Sequence, residues 1–162
     1  LGRLVGSEMC IRDRYGNMCV VDTSLVYYKN LLKSGLRMVS PATRQGEVFS
    51  WLNEFNYKAE NQEIRIDVIA VHWYDWTSNP ENSPNANPQD IYNRFVNYLE
   101  NVYNLYGLPI WITEFNANRY RNEWVHRQFL QLALPYLEET EYLERYSFFP
   151  VSYTHLRAHE TP

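Results

Sequence analysis

Helical and strand patterns alternate four times along this chain, and that alternation constrains its fold more than any other feature. Apolar residues at helical spacing predict amphipathic helices at residues 25–35, 47–62, 89–107 and 121–139. Short apolar runs predict strands at residues 36–42, 66–74, 108–116 and 142–150. Helices of this length between strands act as right-handed crossovers, which predicts a parallel sheet with the helices packed outside it.

Two architectures satisfy this order of elements, an open doubly wound sheet and a closed eight-fold barrel. The open sheet usually carries a glycine-rich phosphate-binding turn after one strand, and the chain contains neither GxGxxG nor a Walker sequence. The barrel therefore fits better. Since four strands are predicted and a barrel needs eight, we expect an α/β fold that forms an incomplete (β/α)8 TIM barrel.

The composition of the chain argues against two classes of binding partner, nucleic acid and anionic membranes. The chain has 162 residues, a net charge of −4 and no run of Lys or Arg, so it lacks the electrostatic footprint of a protein that binds nucleic acid or an anionic membrane. Its apolar runs fall short of the ~18 residues that span a bilayer, and no signal-peptide pattern begins the sequence. With 16% aromatic residues, the chain suits a surface that stacks flat ligands such as sugars.

The two ends of the chain differ from the patterned part between them. Residues 1–14 and 151–162 follow neither the strand period nor a sustained helical face, so we expect non-native, adapter-like segments there and one domain at 15–150. His155 and His159, followed by Glu160, have a spacing that on a helix holds zinc, but a disordered tail is the interpretation we favour. Cys10 and Cys19 are too few for a disulfide framework or a metal knuckle, and we expect no metal and no cofactor.

The active-site residues of a barrel enzyme lie at the carboxyl ends of its strands. The residues at the predicted strand ends are Ser40, Pro41, His72, Trp73, Tyr74, Glu114, Phe115, Asn116, Tyr146, Ser147 and Phe148. Glu114 is a carboxylate that directly follows an apolar strand, and we expect it in the active site; a helix-capping role or a pair with an arginine is the alternative. His72 and Tyr74 share one face of their strand by its two-residue period, so either side chain would hydrogen-bond that carboxylate. A histidine satisfied within the core is the alternative for His72.

The segments "VSPA", "IDVIAVHWYDW", "PIWITEFN" and "ERYSFFP", in this order and spacing, resemble the catalytic domain of glycoside hydrolase family 128, whose members are endo-acting β-1,3-glucanases. The resemblance covers nearly all of residues 25–150 and implies a retaining hydrolase on a (β/α)8 barrel, with Glu114 as nucleophile at the end of the seventh strand. It implies that this chain is the C-terminal half of the domain, strands 5 to 8 with their helices. The family's acid/base comes from an Asn-Glu-Pro motif that this sequence lacks; Asn53 and Glu54 lie in a predicted helix without the proline, so we do not assign the role to them.

A β-glucan polysaccharide or oligosaccharide is the partner that the resemblance implies. Trp76 is the candidate sugar platform, with a loop anchor as its alternative. Asn116 and Asn118 either bond sugar hydroxyls or form turns. Phe148 takes the place where family members commonly present a tryptophan, and Tyr146 precedes it on the same strand. Trp111 and Trp124 fall inside a predicted strand and helix, where we expect core positions.

A carbohydrate-binding protein without catalysis is the rival hypothesis, since an aromatic-rich chain with one visible carboxylate would satisfy it. A binding protein, however, does not require an acid at a strand end beside His and Tyr. Without the acid/base and half of the barrel, we expect this piece alone to be inactive. Secretion or a cell-surface location is expected for the full-length protein, because cells meet a polymeric glucan outside.

Overall fold

The computed structural model describes residues 20–77 and 79–150. The adapter-like segments expected at 1–14 and 151–162 lie outside the described residues. So do both cysteines and the histidine pair with the zinc spacing.

Helices and parallel strands alternate in the described part, which confirms the α/β class. The helices are α1 (Val21–Leu32), α2 (Trp51–Asn61), α3 (Pro88–Tyr106) and α4 (Glu123–Glu139). The strands are β1 (Ile69–Tyr74), β2 (Ile110–Asn116) and β3 (Leu143–Phe148). They form one parallel sheet in the order β1-β2-β3. A parallel sheet of this size is part of the predicted architecture, and the barrel itself stays a prediction.

The strand predicted at residues 36–42 is not formed. The segment runs beside β1, where Val39 and Thr43 make isolated parallel bridges to Val68 and Val71. Pro41 lies between the two bridges and has no N–H to donate, so a continuous hydrogen-bond ladder cannot pass it. The first of the four predicted strands is thus reduced to two isolated bridges along the edge of β1.

The core lies between the sheet and its helices and is built from aromatic rings. Phe95 of α3 is fully buried, with ring centroids 4.8 Å from Trp73 and 5.4 Å from Phe115. Phe129 of α4 joins the same cluster at 5.5 Å from Phe95. Trp73 therefore faces the helices, as the alternation along its strand predicts.

The opposite side of the sheet, here called the open face, carries a smaller apolar cluster. It consists of Val39, Ala42, Val68 and Ala70, with Trp111 packed against them. A cleft of about 740 Å³ lies over this face. Trp111 is thus half-buried on the open face, where its indole N–H donates to Glu144 at 2.9 Å, and is not part of the core beneath the helices.

The prediction that Trp124 lies in the core is wrong. Trp124 is exposed in the first turn of α4, whereas the buried residues of that helix begin with Val125 and His126. Asn122 caps the helix by accepting from the backbone N–H of Val125 at 2.8 Å, and this capped start turns Trp124 to solvent.

A buried histidine ties α4 to the loop that follows β2. The Nε2–H of His126 donates to the carbonyl oxygen of Asn118 at 2.9 Å, because a carbonyl can only accept. Burial lowers the pKa of His126 below its ordinary value of 6.5, the Asn118 bond opposes that shift, and the charge of Arg121 adds to it. The folded protein therefore favours the neutral imidazole.

Phe95→Ala should lower the free energy of unfolding by about 3–5 kcal/mol, because it removes the ring at the centre of the aromatic core. Urea unfolding followed by circular dichroism measures this. Leu105→Ala, at an exposed position of the same helix, is the matched control and should change stability by about 0.5 kcal/mol or less. Equal losses for the two variants would contradict the described core.

The free energy of unfolding should fall as the pH drops below 6.5, because the unfolded chain then protonates His126 more readily than the folded protein does. Other groups titrate in the same range, so the test compares melting temperatures of the wild type and His126→Gln from pH 8 to pH 5. The variant keeps an N–H donor and should show a smaller decrease. Identical pH profiles would show that His126 is not linked to folding.

Candidate active site

An irregularity in β2 decides which way Glu114 faces. Ile110 and Ile112 point into the helix-side core, so strict alternation would bury Glu114 there as well. Instead, Val71 lies opposite Ile112 and His72 lies opposite Glu114, which leaves Thr113 as an extra residue in a β-bulge. Glu114 is thereby turned away from the helices, to the side on which His72 lies.

The structure brings Glu114 together with His72 and Tyr74. The Tyr74 hydroxyl donates a short hydrogen bond to Oε2 of Glu114. Nδ1 of His72 lies 3.5 Å from the same oxygen. The carboxylate keeps 21% of its side-chain surface exposed, while the imidazole is almost fully buried. Oε2 of Glu114 thus contacts two side chains, while the carboxylate stays open to the cleft.

His72 is fixed from the backbone side. Its N–H donates to the carbonyl oxygen of Thr43 at 3.0 Å, and its own carbonyl accepts from the Tyr98 hydroxyl at 3.4 Å. Burial raises the pKa of Tyr98 well above its usual value, so that hydroxyl stays protonated and remains a donor. These bonds restrain the strand position from which His72 reaches Glu114.

An open cleft of about 860 Å³ surrounds the exposed side of Glu114. Its lining residues are Arg44, Gln45, Gly46, Glu47, Phe49, His72, Tyr74, Trp76, Thr77, Tyr98 and Glu114. Glu47 is the second acid in this lining, and its carboxylate is paired with Arg44 at 2.9 Å. Glu54 lies elsewhere on α2, in an ion pair with Lys58 at 2.9 Å. Within the described residues, Glu114 is the carboxylate of this cleft that no arginine neutralises.

A smaller hollow of about 290 Å³ adjoins the cleft and shares Tyr74 and Trp76 with it. Its other lining residues are Asn116, Asn118, Arg119, Phe149 and Pro150. Trp76 is 57% exposed, and the Phe149 ring lies edge-on to Tyr74 at 6.3 Å. Aromatic faces therefore line the space on this side of Glu114.

Phe148 and Tyr146 are not brought to Glu114. The Phe148 ring contacts Phe115 at 5.7 Å, on the side of the sheet that faces the helices. Tyr146 lies edge-on to the same ring at 6.1 Å, and its hydroxyl donates to Glu138 of α4. Counting strand-end positions missed the register, in which Phe148 pairs with the inward-facing Phe115. Phe149, one residue on, is the aromatic that reaches the hollow, because an irregularity near the start of β3 shifts the facing of the residues that follow it.

Asn116 and Asn118 shape the turn after β2. The side-chain oxygen of Asn116 accepts from the Asn118 N–H at 2.7 Å, and its amide donates to the Phe149 carbonyl at 3.0 Å. Asn118 has a φ of 88°, a conformation that asparagine tolerates better than most residues. Both asparagines thus form the turn, and because they also line the hollow, their bonding to sugar hydroxyls stays a prediction.

The described residues contain no group of three His, Cys, Asp or Glu side chains that could hold a metal ion. None of the helices in 20–77 and 79–150 has the length and hydropathy needed to cross a membrane.

Comparisons with known proteins agree with this geometry. A family model described as "Glycosyl hydrolase catalytic core" matches residues 17–161. The chain is 32% identical over 146 residues to alkali-sensitive linkage protein 1 of Schizosaccharomyces pombe, a match that covers 83% of this chain and 24% of that protein.

Solved structures of glycoside hydrolase family 128 are also similar. An endo-β-1,3-glucanase from Amycolatopsis mediterranei, in complex with laminaritriose, is 28% identical with a TM-score of 0.68, covering 83% of this chain and 56% of that one. A variant of that enzyme with laminaritriose and laminaribiose is 27% identical with a TM-score of 0.71, covering 88% and 59%. A curdlan-specific exo-β-1,3-glucanase from Blastomyces gilchristii is 26% identical with a TM-score of 0.62, covering 81% and 54%.

The chain thus spans little more than half the length of these solved glucanases and a quarter of the yeast protein. The family match nevertheless extends over most of the chain, and it includes the strands that carry Glu114, His72 and Tyr74. By the family match and the similarity to solved glucanases, this chain belongs to the glycosyl hydrolase catalytic core family, within glycoside hydrolase family 128.

Proposed function

We propose that this chain is the nucleophile-bearing part of a retaining β-1,3-glucanase and that Glu114 attacks the anomeric carbon of the sugar. The observation that carries the proposal is the geometry of Glu114, which lies at the carboxyl end of a parallel strand and is open to a cleft. Its Oε2 accepts a hydrogen bond from Tyr74 and lies 3.5 Å from Nδ1 of His72. Strand ends of this kind carry the chemistry of parallel α/β barrels.

The neighbours of Glu114 suit a nucleophile. A hydroxyl that donates to one carboxylate oxygen fixes the orientation of the carboxylate, while the other oxygen remains available for attack. His72 lies beside the same oxygen and limits rotation of the carboxylate. A module that only bound sugar would not require a carboxylate oriented in this way.

The aromatic lining suggests the substrate class. Solved relatives hold laminaritriose and laminaribiose, which are β-1,3-linked glucose oligomers. Trp76, Tyr74 and Phe149 present rings around the hollow beside Glu114, and aromatic rings cover the apolar faces of pyranose sugars. We assign the inner platform to Phe149 in place of Phe148.

A retaining glycosidase needs a second carboxyl group about 5 Å from the nucleophile. Glu47 shares the cleft, but its pairing with Arg44 fits a structural role. We therefore assign the acid/base to a part of the full-length protein outside residues 20–150. The cleft over the open face and the edge of β3, which no described strand pairs, fit the same account, because further barrel strands would cover both. In this account β1, β2 and β3 belong to the second half of a TIM barrel, and a polymeric substrate implies an extracellular protein.

Incubation with a dinitrophenyl 2-deoxy-2-fluoro-β-laminaribioside should leave a covalent sugar on Glu114. Dinitrophenolate departs without protonation, so the reaction needs the nucleophile and not the absent acid/base, and fluorine slows hydrolysis of the glycosyl-enzyme. Intact-mass spectrometry followed by peptide mapping locates the label. Glu47→Gln, which changes the other acid of the cleft, should still be labelled, and Glu114→Gln should not. Labelling that persists in Glu114→Gln would refute the assigned nucleophile, and binding of laminaritriose without any labelling would favour the carbohydrate-binding alternative.

Tyr74→Phe should slow this labelling by at least about tenfold, because it removes the hydrogen bond that fixes the orientation of the Glu114 carboxylate, and attack depends on that geometry. The stopped-flow release of dinitrophenolate gives the rate. Tyr146→Phe is the control, since it removes a tyrosine–glutamate hydrogen bond of the same kind on the helix side of the sheet. An equal effect of the two substitutions would show that the Tyr74 hydroxyl has no special influence on Glu114.

A further inference from the structure

A buried cluster of three charged side chains lies beneath the cleft, outside its lining. Asp75 and Arg121 are fully buried, and Arg94 of α3 is partly exposed. Arg94 binds Asp75 through two bonds of 2.9 Å, and Nη2 of Arg121 binds the same carboxylate at 2.8 Å. A buried carboxylate is tolerated only when it is paired and hydrogen-bonded, a condition that the two guanidinium groups meet. These three residues are here called the Asp75 cluster.

Arg121 donates hydrogen bonds to the residues on both sides of Trp76. Its Nη2 donates to the carboxylate of Asp75 and, at 3.2 Å, to the carbonyl oxygen of Thr77. Its Nη1 donates to the hydroxyl of Ser83 at 2.6 Å and also to the Ser83 carbonyl. One rigid, planar group thus fixes the residue before Trp76, the residue after it and a later part of the same connection.

The same arginine belongs to the loop that follows the strand of Glu114. Its backbone N–H donates to the carbonyl oxygen of Asn118 at 3.0 Å, and Asn118 is bonded in turn to the side chain of Asn116 at the end of β2. A continuous set of hydrogen bonds therefore leads from the end of β2 through Arg121 to the residues that flank Trp76.

Trp76 itself is 57% exposed, and its ring meets Tyr120 edge-on at 6.3 Å. A large side chain on a loop loses conformational freedom when it binds a ligand, and that loss weakens affinity unless the loop is ordered beforehand. The exposed indole contrasts with its fully buried neighbour Asp75. The anchoring is thus supplied by the flanking residues, not by burial of the indole.

We propose that Arg121 is a positioning residue that holds the Trp76 indole at a fixed place relative to Glu114, so that sugar binding at Trp76 depends on a side chain that does not reach the cleft. The sugar-binding part of this inference rests on the proposed function. The positioning part does not, because it concerns the indole in the absence of any ligand.

Arg121→Lys is the variant that separates the hydrogen bonds that hold the loop from the positive charge beside Asp75. Lysine keeps the positive charge that faces Asp75 but cannot reproduce the fork that binds Asp75, Thr77 and Ser83 together. Asp75→Asn is the second variant, which keeps the side-chain shape and weakens the hydrogen bonds to both arginines. Arg37→Lys is the matched control, because Arg37 forms a two-bond pair of 2.6 Å with Glu144 near the opposite end of the sheet.

The position of the indole is measured by ¹⁹F NMR of the full chain labelled with 5-fluorotryptophan, where Trp76→Phe identifies the resonance. In the unsubstituted chain this signal should be shifted from that of free 5-fluorotryptophan. In Arg121→Lys and Asp75→Asn it should move toward the free value, and in Arg37→Lys it should not move. A Trp76 signal unchanged in the two cluster variants, with melting curves that show folded protein, would overturn the proposal. Should one variant fail to fold, the other decides.

Binding of laminaritriose, followed by calorimetry, tests the functional half with a double-mutant cycle. Arg121→Lys should weaken binding about five- to tenfold, the factor that corresponds to ordering one large side chain. In a Trp76→Ala background the same substitution should change binding by less than about twofold, because the residue through which it acts is gone. Additive losses would overturn the claim that Arg121 acts through Trp76. Binding unaffected by Trp76→Ala would instead refute the sugar platform, and the ¹⁹F signal would still decide the positioning role.

Discussion

The pairing of β1 with β2 is the constraint on which the rest of the site depends. A strand alternates its side chains between two faces, so one residue more or less decides whether a carboxylate meets the core or the cleft. Thr113 supplies that extra residue, and Glu114 consequently lies with Tyr74 and His72, on the side away from the helices. Without the bulge, the carboxylate would be directed into an aromatic core that has no partner for a charge.

The helix side of the sheet and the carboxyl ends of its strands have different roles. On the helix side, Trp73, Phe95 and Phe115 pack into a buried aromatic cluster that fixes the strands relative to one another. At the carboxyl ends, the loops carry the aromatic rings and are held by polar contacts of the Asp75 cluster and of Asn116. The rigid core thus fixes the strand from which Glu114 extends, and the buried ionic contacts fix the loops around it. This division is common in parallel α/β proteins, where scaffold and site occupy separate regions.

Much of this arrangement followed from the sequence because it depends on local periodicity. The helical spacing predicted the four α-helices that lie within residues 20–150, and the two-residue period predicted that Trp73 faces away from His72 and Tyr74. The wrong predictions concern positions where a proline or a bulge interrupts the regular alternation of a strand. Pro41 interrupts the first predicted strand, and the bulges change the facing of later residues, so that Phe149 lines the hollow instead of the residue before it. The Asp75 cluster joins distant segments and has no local signal at all.

A sugar bound to this chain should lie with its anomeric carbon facing Glu114. A crystal structure of the chain with laminaritriose measures this most directly. The predicted result is a glucose ring beside Trp76, its anomeric carbon within about 3.5 Å of the Glu114 carboxylate, the distance of a near-attack geometry. Glu114 directed toward the helices, or a sugar bound away from Tyr74 and His72, would contradict the central claim.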